Sequence, residues 1–345
     1  MHLNANHRVA ILLNRGIQGS KGKTGLSYLR YGQANIVAII DAESVGESLT
    51  ALTNIDRNIP IVGNIIQALP HKPDVLLIGN APSGGKLAPD DLQQVEKAVA
   101  AGLSIVNGLH TPLASRFESL SPGQWIWDIR QEPKDLIVGK GRVQGLSCQR
   151  ILTVGTDMAV GKMSTGIELT RAAKRRGFKA KFLGTGQGGM MIGGGDGICL
   201  DAIRVDFAAG AVEQMVTKAA KDHEVVFIEG QGSLLHPGST ATLPLIRGSL
   251  PTGLVLVHRL GLEYIHDLPQ FPIPPLPQVV QLYETVASGC GIFGQPLVKA
   301  ITLNTVHADE ITAKKAIAEV SEATGLPCND VVRFGADWLL TQILD

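Results

Sequence analysis

At 345 residues the chain exceeds the size at which a single core usually keeps growing, so two domains are expected. Lysine plus arginine and aspartate plus glutamate both number 31, which leaves no net positive field to draw in nucleic acid or an anionic membrane. Hydrophobic residues at 44%, charged residues at 18% and 40 glycines exclude a disordered or fibrous chain and suit an α/β class, with buried parallel strands joined by glycine turns.

Cys148, Cys199, Cys290 and Cys328 stand too far apart for paired zinc ligands and are too few to staple so long a chain, so a reducing cytoplasm fits. The start, MHLNANHRVAILLN, holds only a short apolar run. No later stretch approaches the roughly 18–20 apolar residues of a membrane helix, so neither an export signal nor a span is expected.

In chain order, RVAILL at 8–13 and IVAII at 36–40 predict buried strands, with a glycine-rich loop, GIQGSKGKTG at 16–25, and a short helix between them. VLLIG at 75–79 predicts a third strand. It is followed by the turn NAPSGGK, a helix from Pro89 to Ala101 opened by Asp90 and Asp91, and a strand at 104–108. Residues 131–150 mix charge, glycine and a proline without periodicity, and a new strand begins at Ile151, which predicts domains of 1–146 and 147–345. The second half repeats strand, loop and helix as a parallel sheet does. Strands are expected at 151–154, 180–183, 225–228, 253–257 and 298–303, and helices at 162–176, 208–221, 278–288 and 309–323. LPQFPIPPLPQ, 268–278, carries five prolines and reads as a stiff loop.

Chemistry concentrates at GTDMAVGKMS, residues 155–164, where an apolar strand, a glycine turn, Gly161-Lys162 and a helix follow one another. Backbone N–H groups, the helix dipole and the Lys162 ammonium then converge on one volume suited to phosphate. Gly155, Thr156, Asp157, Val160, Gly161, Lys162, Met163 and Ser164 are its expected lining. The pattern departs from G-x-x-x-x-G-K-[ST]: Thr156 takes the first glycine position, and Met163 stands where a hydroxyl normally helps to hold Mg²⁺. A thioether is a poor ligand for that hard ion, so phosphate binding is better supported than metal-assisted hydrolysis.

GTDxxVGK resembles the loop of dethiobiotin synthetase and its relatives, and VVFIEGQGSL at 225–234, GLVLVHRLG at 253–261 and AITLNT at 300–305 resemble later strands of those enzymes. By that similarity Asn304 would read an adenine ring. The combination of GKMST, GTGQGG, EGQGS with HPG after it, GKTGLSYLRYG and APSGGK resembles, over nearly the whole chain, the DgcN-like family of bacterial proteins. The resemblance implies a small Rossmann-like N-terminal domain, a C-terminal P-loop domain with a mainly parallel sheet, and D-glutamate N-acetyltransferase-like chemistry. An acyl-CoA would donate the acyl group to a D-amino acid. Coenzyme A carries an adenine nucleotide and a pyrophosphate, so a phosphate loop could hold it with Met163 in place. The alternatives are an ATP- and Mg²⁺-dependent ligase like dethiobiotin synthetase, and a nucleotide sensor without turnover. A small-molecule substrate and a homo-oligomer are expected, with no nucleic-acid or membrane partner.

Glu229 ends a strand at the edge where ligands bind, either as a Mg²⁺ ligand, as a base toward an amine, or as a support for the loop. Asp157 either touches metal or substrate or braces its loop. Thr185 and Gln187, in the glycine-rich run 184–197, and Gln231 are candidates to orient a substrate carboxylate or amide, in a run that is otherwise a lid or a permissive turn. His236 and His258 are each either structural or proton-transfer residues. GIQGSKGKTG, with Asp41 after the next strand, echoes a dinucleotide-binding unit, but its glycines are spaced G-x-x-G-x-x-G and its helix is short. Ser83 and Lys86 either face an acidic substrate or lie on a surface turn.

Overall fold

The apolar runs of the first half are buried on both faces of a sheet, as parallel strands covered by helices require. In the computed structural model, which describes residues 3–82, 85–117 and 119–344, these are β1 (Arg8–Leu12), β2 (Asn35–Ile40), β3 (Ile61–Val62), β4 (Val75–Ile78), β5 (Ser104–Asn107) and β6 (Ile126–Asp128). Ser83 lies outside the described residues. The six strands pair in the order β3-β2-β1-β4-β5-β6, all parallel. Around them run α1 (Lys23–Tyr31), α2 (Leu49–Thr53), α3 (Ile65–Ala68) and α4 (Pro89–Ala100).

The second half continues with β7 (Gln149–Gly155), α5 (Lys162–Arg175), β8 (Ala180–Leu183), α6 (Gln187–Ile192), α7 (Val205–Ala219), β9 (Val225–Ile228), α8 (Thr242–Ser249) and β10 (Gly253–Arg259). It ends with β11 (Tyr264–Ile265), β12 (Leu268–Pro272), α9 (Leu276–Ser288), β13 (Leu297–Asn304), α10 (Glu310–Thr324), β14 (Cys328–Asn329) and α11 (Asp337–Leu344). Six of these strands form a second parallel sheet, β14-β13-β10-β7-β9-β8. Ile151, Phe227, Val255 and Ala300 on four adjacent strands pack against Leu169 and Ala173 of α5 and Leu339, Leu340 and Ile343 of α11. Each large side chain buried this way contributes about 1.5–3 kcal/mol, which anchors α5 and therefore the loop before it. Among the described residues no helix is long and apolar enough to cross a membrane.

The chain divides into two compact units, 1–132 with 187–202, and 133–186 with 203–345. Two segments join units that their place in the sequence does not suggest. Residues 133–146 pack in the second unit. There the buried Glu213 carboxylate of α7 accepts the Lys140 N–H (2.9 Å), the Arg142 N–H (3.0 Å) and Arg142 Nε (2.7 Å). A Cβ on Gly210 would fall 1.7 Å from the Ile137 carbonyl oxygen, so only glycine admits this strap. Residues 187–202 pack in the first unit. There α6 lies against α1, Gln187 Nε2 donates to Thr24 Oγ1 (3.4 Å), and Asp201 forms an ion pair with Arg130.

The first sheet has the strand order of dinucleotide-binding sheets, yet the loop after β1 is built differently from a phosphate loop. A Cβ on Gly22 would fall 2.0 Å from the Gly16 carbonyl oxygen, and one on Gly19 would fall 2.6 Å from that of Arg15. Acceptors rather than donors therefore crowd the turn. Asp41, placed as a ribose contact would be, instead accepts the N–H groups of Arg15 (3.1 Å) and Glu43 (3.1 Å) through Oδ1.

The stretch expected as a stiff loop, 268–278, begins as a strand. β12 pairs antiparallel with β11 in a two-stranded ribbon, and α9 starts at Leu276. A ribbon of two strands leaves one edge of each unpaired, where proline loses no hydrogen bond, and Pro277 falls in the first turn of α9, where its missing N–H is not needed.

Burial alone would push Glu213 up, but the Lys140 N–H and the Arg142 guanidinium and N–H hold it below the usual carboxylate range. The unfolded chain then binds the extra proton. This stabilisation is present above pH 4.5, the ordinary value, and is lost as pH falls through the folded value. Glu213→Gln should lower the unfolding free energy at neutral pH by about 2 kcal/mol and flatten the acid-side slope. Urea denaturation at pH 7 and pH 4 reads both, and equal slopes in the two proteins would remove the carboxylate from this account.

Candidate phosphate-binding site

β7 lies between β10 and β9, so its carboxyl end opens beside theirs. The chain leaves β7 at Gly155 and enters α5 at Lys162, and it must fold back on itself in between. A Cβ on Gly155 would meet Val160 Cγ2 at 2.9 Å and Lys162 Nζ at 3.1 Å, which explains a glycine one position earlier than the usual pattern. Gly161 sits at φ +120°, a conformation strained for any L side chain.

Side chains from elsewhere hold the loop's carbonyls. Gly155 O accepts Tyr283 Oη–H (2.7 Å), Thr156 O accepts Ser233 Oγ–H (3.0 Å), and Asp157 O accepts Lys162 Nζ (2.7 Å). Ala159 O accepts Arg259 Nη2 (2.7 Å), and Val160 O accepts Asn304 Nδ2 (3.0 Å). In a trans peptide the N–H points away from the preceding carbonyl. Tying Ala159 O and Val160 O outward therefore turns the N–H groups of Val160 and Gly161 inward, where neither meets a protein acceptor among the described residues. The start of α5 adds its dipole at the same place.

The remaining expected residues gather at neighbouring strand ends. Glu229 follows β9, and its Oε2 accepts the N–H groups of Thr185 (2.8 Å) and Gly186 (3.3 Å), while Thr185 Oγ1 donates to Glu229 O (2.8 Å). A Cβ on Gly230 would fall 1.7 Å from Thr153 O and 3.0 Å from Lys162 Cδ, so glycine lets the chain after Glu229 pass close against β7 and the Lys162 side chain. Gln231 packs over Gly186 and its carbonyl accepts Thr242 Oγ1 (2.8 Å). Gln187 belongs to the first unit, with Thr24 as its partner. Asp157 is fully buried, with Oδ1 on the Met158 N–H (2.6 Å) and Oδ2 on the His266 N–H (2.7 Å) at the ribbon turn.

His258, at the end of β10, shares a proton with Thr156 Oγ1 through Nδ1 at 2.9 Å. Burial, and then the neighbouring Arg259 charge, push its pKa down to about 4. His236 Nδ1 accepts the Gly238 N–H (3.0 Å). Met163 and Ser164 are half-buried in the first turn of α5, and Thr165 turns its hydroxyl inward to Thr302 Oγ1 (3.0 Å). Asn304 spends its amide on the protein, since Oδ1 accepts the Val306 N–H (3.2 Å) while Nδ2 holds Val160 O. Asp157 and Glu229 fit poorly as a Mg²⁺ pair. Three of their oxygens already accept N–H bonds, and Met163 offers sulfur where the ion prefers oxygen.

Tyr283, Ser233 and Arg259 complete the loop without having been expected. Tyr283 sits mid-helix at a position that reads as core, and no local pattern marks a hydroxyl that reaches Gly155. Arg259 follows His258 and is visible only once β10 is placed beside β7.

Residues 137–340 match the family described as a domain of unknown function, DUF1611_C, a P-loop domain, and residues 42–132 match DUF1611_N, a Rossmann-like domain. A D-glutamate N-acetyltransferase of Pseudoalteromonas sp is 33% identical over 272 residues, 77% of this chain and 80% of the relative. Another, of Tritonibacter scottomollicae, is 33% identical over 278 residues, 78% of this chain and 80% of the relative. The crystal structure of a DUF1611 family protein from Anabaena variabilis ATCC 29413 is similar with a TM-score of 0.95 and 59% identity, covering 98% of this chain and 99% of that one.

The Tyr283 hydroxyl also accepts the Leu234 N–H (3.1 Å). Tyr283→Phe should thus strand a buried carbonyl and a partly buried N–H, costing about 1–3 kcal/mol in thermal or chemical unfolding. An unchanged stability would mean that water replaces the hydroxyl. For His258, the unfolded chain binds a proton between pH 6.5 and about 4 that the folded chain refuses, so stability should fall as pH drops through that window. An NMR titration should place the imidazole midpoint near 4, and a midpoint near 6.5 would contradict the buried, neutral assignment.

Proposed function

The chain belongs to the DUF1611 family, and from that premise we propose that it is an N-acyltransferase whose phosphate loop holds the diphosphate of an acyl-CoA and whose acceptor is a D-glutamate-like amino acid. The observation that carries this reading is the preformed loop, with inward N–H groups and a lysine but no hydroxyl at Met163 for a metal ion. The activity named for two relatives supports the acyl group and the acceptor.

Coenzyme A, when bound, supplies the acyl group as an activated thioester. Lys162 and the N–H groups of Val160 and Gly161 hold phosphate oxygens, as the dipole of α5 favours. Glu229 takes a proton from the substrate ammonium, so that the nitrogen lone pair can attack the thioester carbonyl carbon. The C–N bond would form and the C–S bond break, the thiolate leaving with its electron pair and taking the second proton that the nitrogen loses as it becomes the amide. The amides of Thr185 and Gly186 fix the Glu229 carboxylate for this role, and Thr185 and Gln231 border the acceptor. His258 engages Thr156 Oγ1 through Nδ1 and positions the loop. His236 lies on the loop after Glu229 as the nearer histidine in sequence.

Thermal shift with CoA, acetyl-CoA, ATP and ADP, with and without Mg²⁺, tests the reading. A ligand at 100 times its Kd stabilises by about 2.7 kcal/mol. CoA and acetyl-CoA should do so without Mg²⁺, Lys162→Ala should abolish the effect, and thiol release from acetyl-CoA should depend on D-glutamate. Stabilisation by ATP with Mg²⁺ alone, or release of ADP, would overturn it.

A further inference from the structure

Where the strap of residues 133–146 lies across α7, a cavity of about 170 Å³ is lined by Arg142, Glu213, Gln214, Thr217, Lys218 and Lys221. Gln214, Thr217 and Lys218 stand three or four residues apart and so share one face of α7, with Lys221 in the turn that follows. Glu213 is the one acidic group in this lining, and its carboxylate, 1% exposed, already accepts the N–H groups of Lys140 and Arg142 and Arg142 Nε. Arg142 spends only Nε on that bond. Its two Nη groups, and the ammonium groups of Lys218 and Lys221, meet no acceptor among the described residues.

Thr217 is a second, independent sign. Thr170 and Thr324 return their hydroxyls to the carbonyl four residues back, at 2.6 and 2.7 Å. Thr217 Oγ1 makes no such bond: it is buried and meets no partner among the described residues. A buried hydroxyl left in this way is unfavourable unless something else completes it. The space exceeds many times over the roughly 10–15 Å³ that one water needs, so a molecule of several non-hydrogen atoms fits.

We infer that this cavity is a binding site for a small dianion. The Arg142 fork, planar and matched to paired oxygens, takes it from the strap, Lys218 and Lys221 take it from α7, and the Thr217 hydroxyl donates to it. The site is separate from the phosphate loop. Lys221 precedes the amino end of β9, whereas the loop leaves the carboxyl end of the parallel strand β7. A ligand here therefore acts by fastening the strap to α7.

Calorimetry of the full chain at fixed ionic strength, with inorganic phosphate, glutarate and acetate as probes, tests this together with hydrogen exchange of residues 133–146. Phosphate or glutarate should bind about tenfold or more tightly than acetate and slow exchange in the strap, and the tighter of the two identifies the dianion as phosphoryl or dicarboxylate. Lys218→Gln combined with Lys221→Gln should weaken that binding by about tenfold. Thr217→Val, which keeps the shape of the side chain, should weaken it by about threefold. Both variants leave the bond between Arg142 and Glu213 in place, and the second removes only a hydroxyl without a partner. Lys162→Ala should leave the protection of the strap unchanged. Protection lost in Lys162→Ala would move the anion to the phosphate loop and overturn the inference. Binding of neither dianion, or binding that both cavity variants leave unaltered, would make these cations a solvated helix face and overturn it too. CoA binding is read separately, so the proposed function stands or falls on its own.

Discussion

A peptide group cannot offer its N–H to a ligand without sending its carbonyl the other way, and that carbonyl needs a partner of its own. The loop between β7 and α5 meets this constraint with borrowed donors. Tyr283 comes from α9, Ser233 from the loop after β9, Arg259 from β10, and Asn304 from β13. Each buried carbonyl left bare would cost about 1–3 kcal/mol, more than a turn of a few residues recovers from its own contacts. The cradle is therefore a property of the assembled sheet. The local sequence supplies the two glycines that let the chain close and the lysine that charges it.

The two glycine-rich loops make the point by contrast. Both follow the first strand of a parallel sheet and both precede a helix. In the loop after β1, the carbonyls of Arg15 and Gly16 crowd Gly19 and Gly22, and glycine is needed there to make room for oxygen. In the loop after β7, Gly155 makes room for Val160 and the Lys162 ammonium. Glycine content measures how closely backbone can approach, and it says nothing of which end of the peptide does the approaching.

Much of this was legible beforehand for a physical reason. Strands buried on both faces read as unbroken apolar runs, so RVAILL, VLLI and VVFI announced themselves, and the strand and glycine turn leading into Lys162 at the start of α5 announced the P-loop domain. The shortest edge strands did not. β3 and β14 are two residues each and carry no periodicity, and α8 hides behind Pro244 in its first turn. The packing of residues 187–202 with the first unit was equally invisible, because it depends on Gly108 leaving space for Met191 and on Arg130 meeting Asp201 far along the chain. At the site, residue types gave positions and left their uses open. Asp157, Asn304 and Thr185 lie where expected, each with its polar atoms bonded to the protein's own backbone.

That pattern of use decides the electrostatics of the site. Nucleotide-cleaving loops ordinarily neutralise their phosphates with a lysine and a Mg²⁺ ion held by a hydroxyl and a carboxylate. Here the hydroxyl position is Met163, and both Asp157 oxygens and Glu229 Oε2 accept N–H groups. A carboxylate so bonded still carries its charge, but that charge is spread over backbone donors that hold the loop and the strand ends in register. Lys162 and Arg259 are each bonded to a neutral carbonyl, so neither has its charge cancelled by that contact. The donors that face inward are therefore the Val160 and Gly161 N–H groups and the start of α5, supplied by the protein's own backbone, with the Asp157 and Glu229 charges set off against those of Lys162 and Arg259.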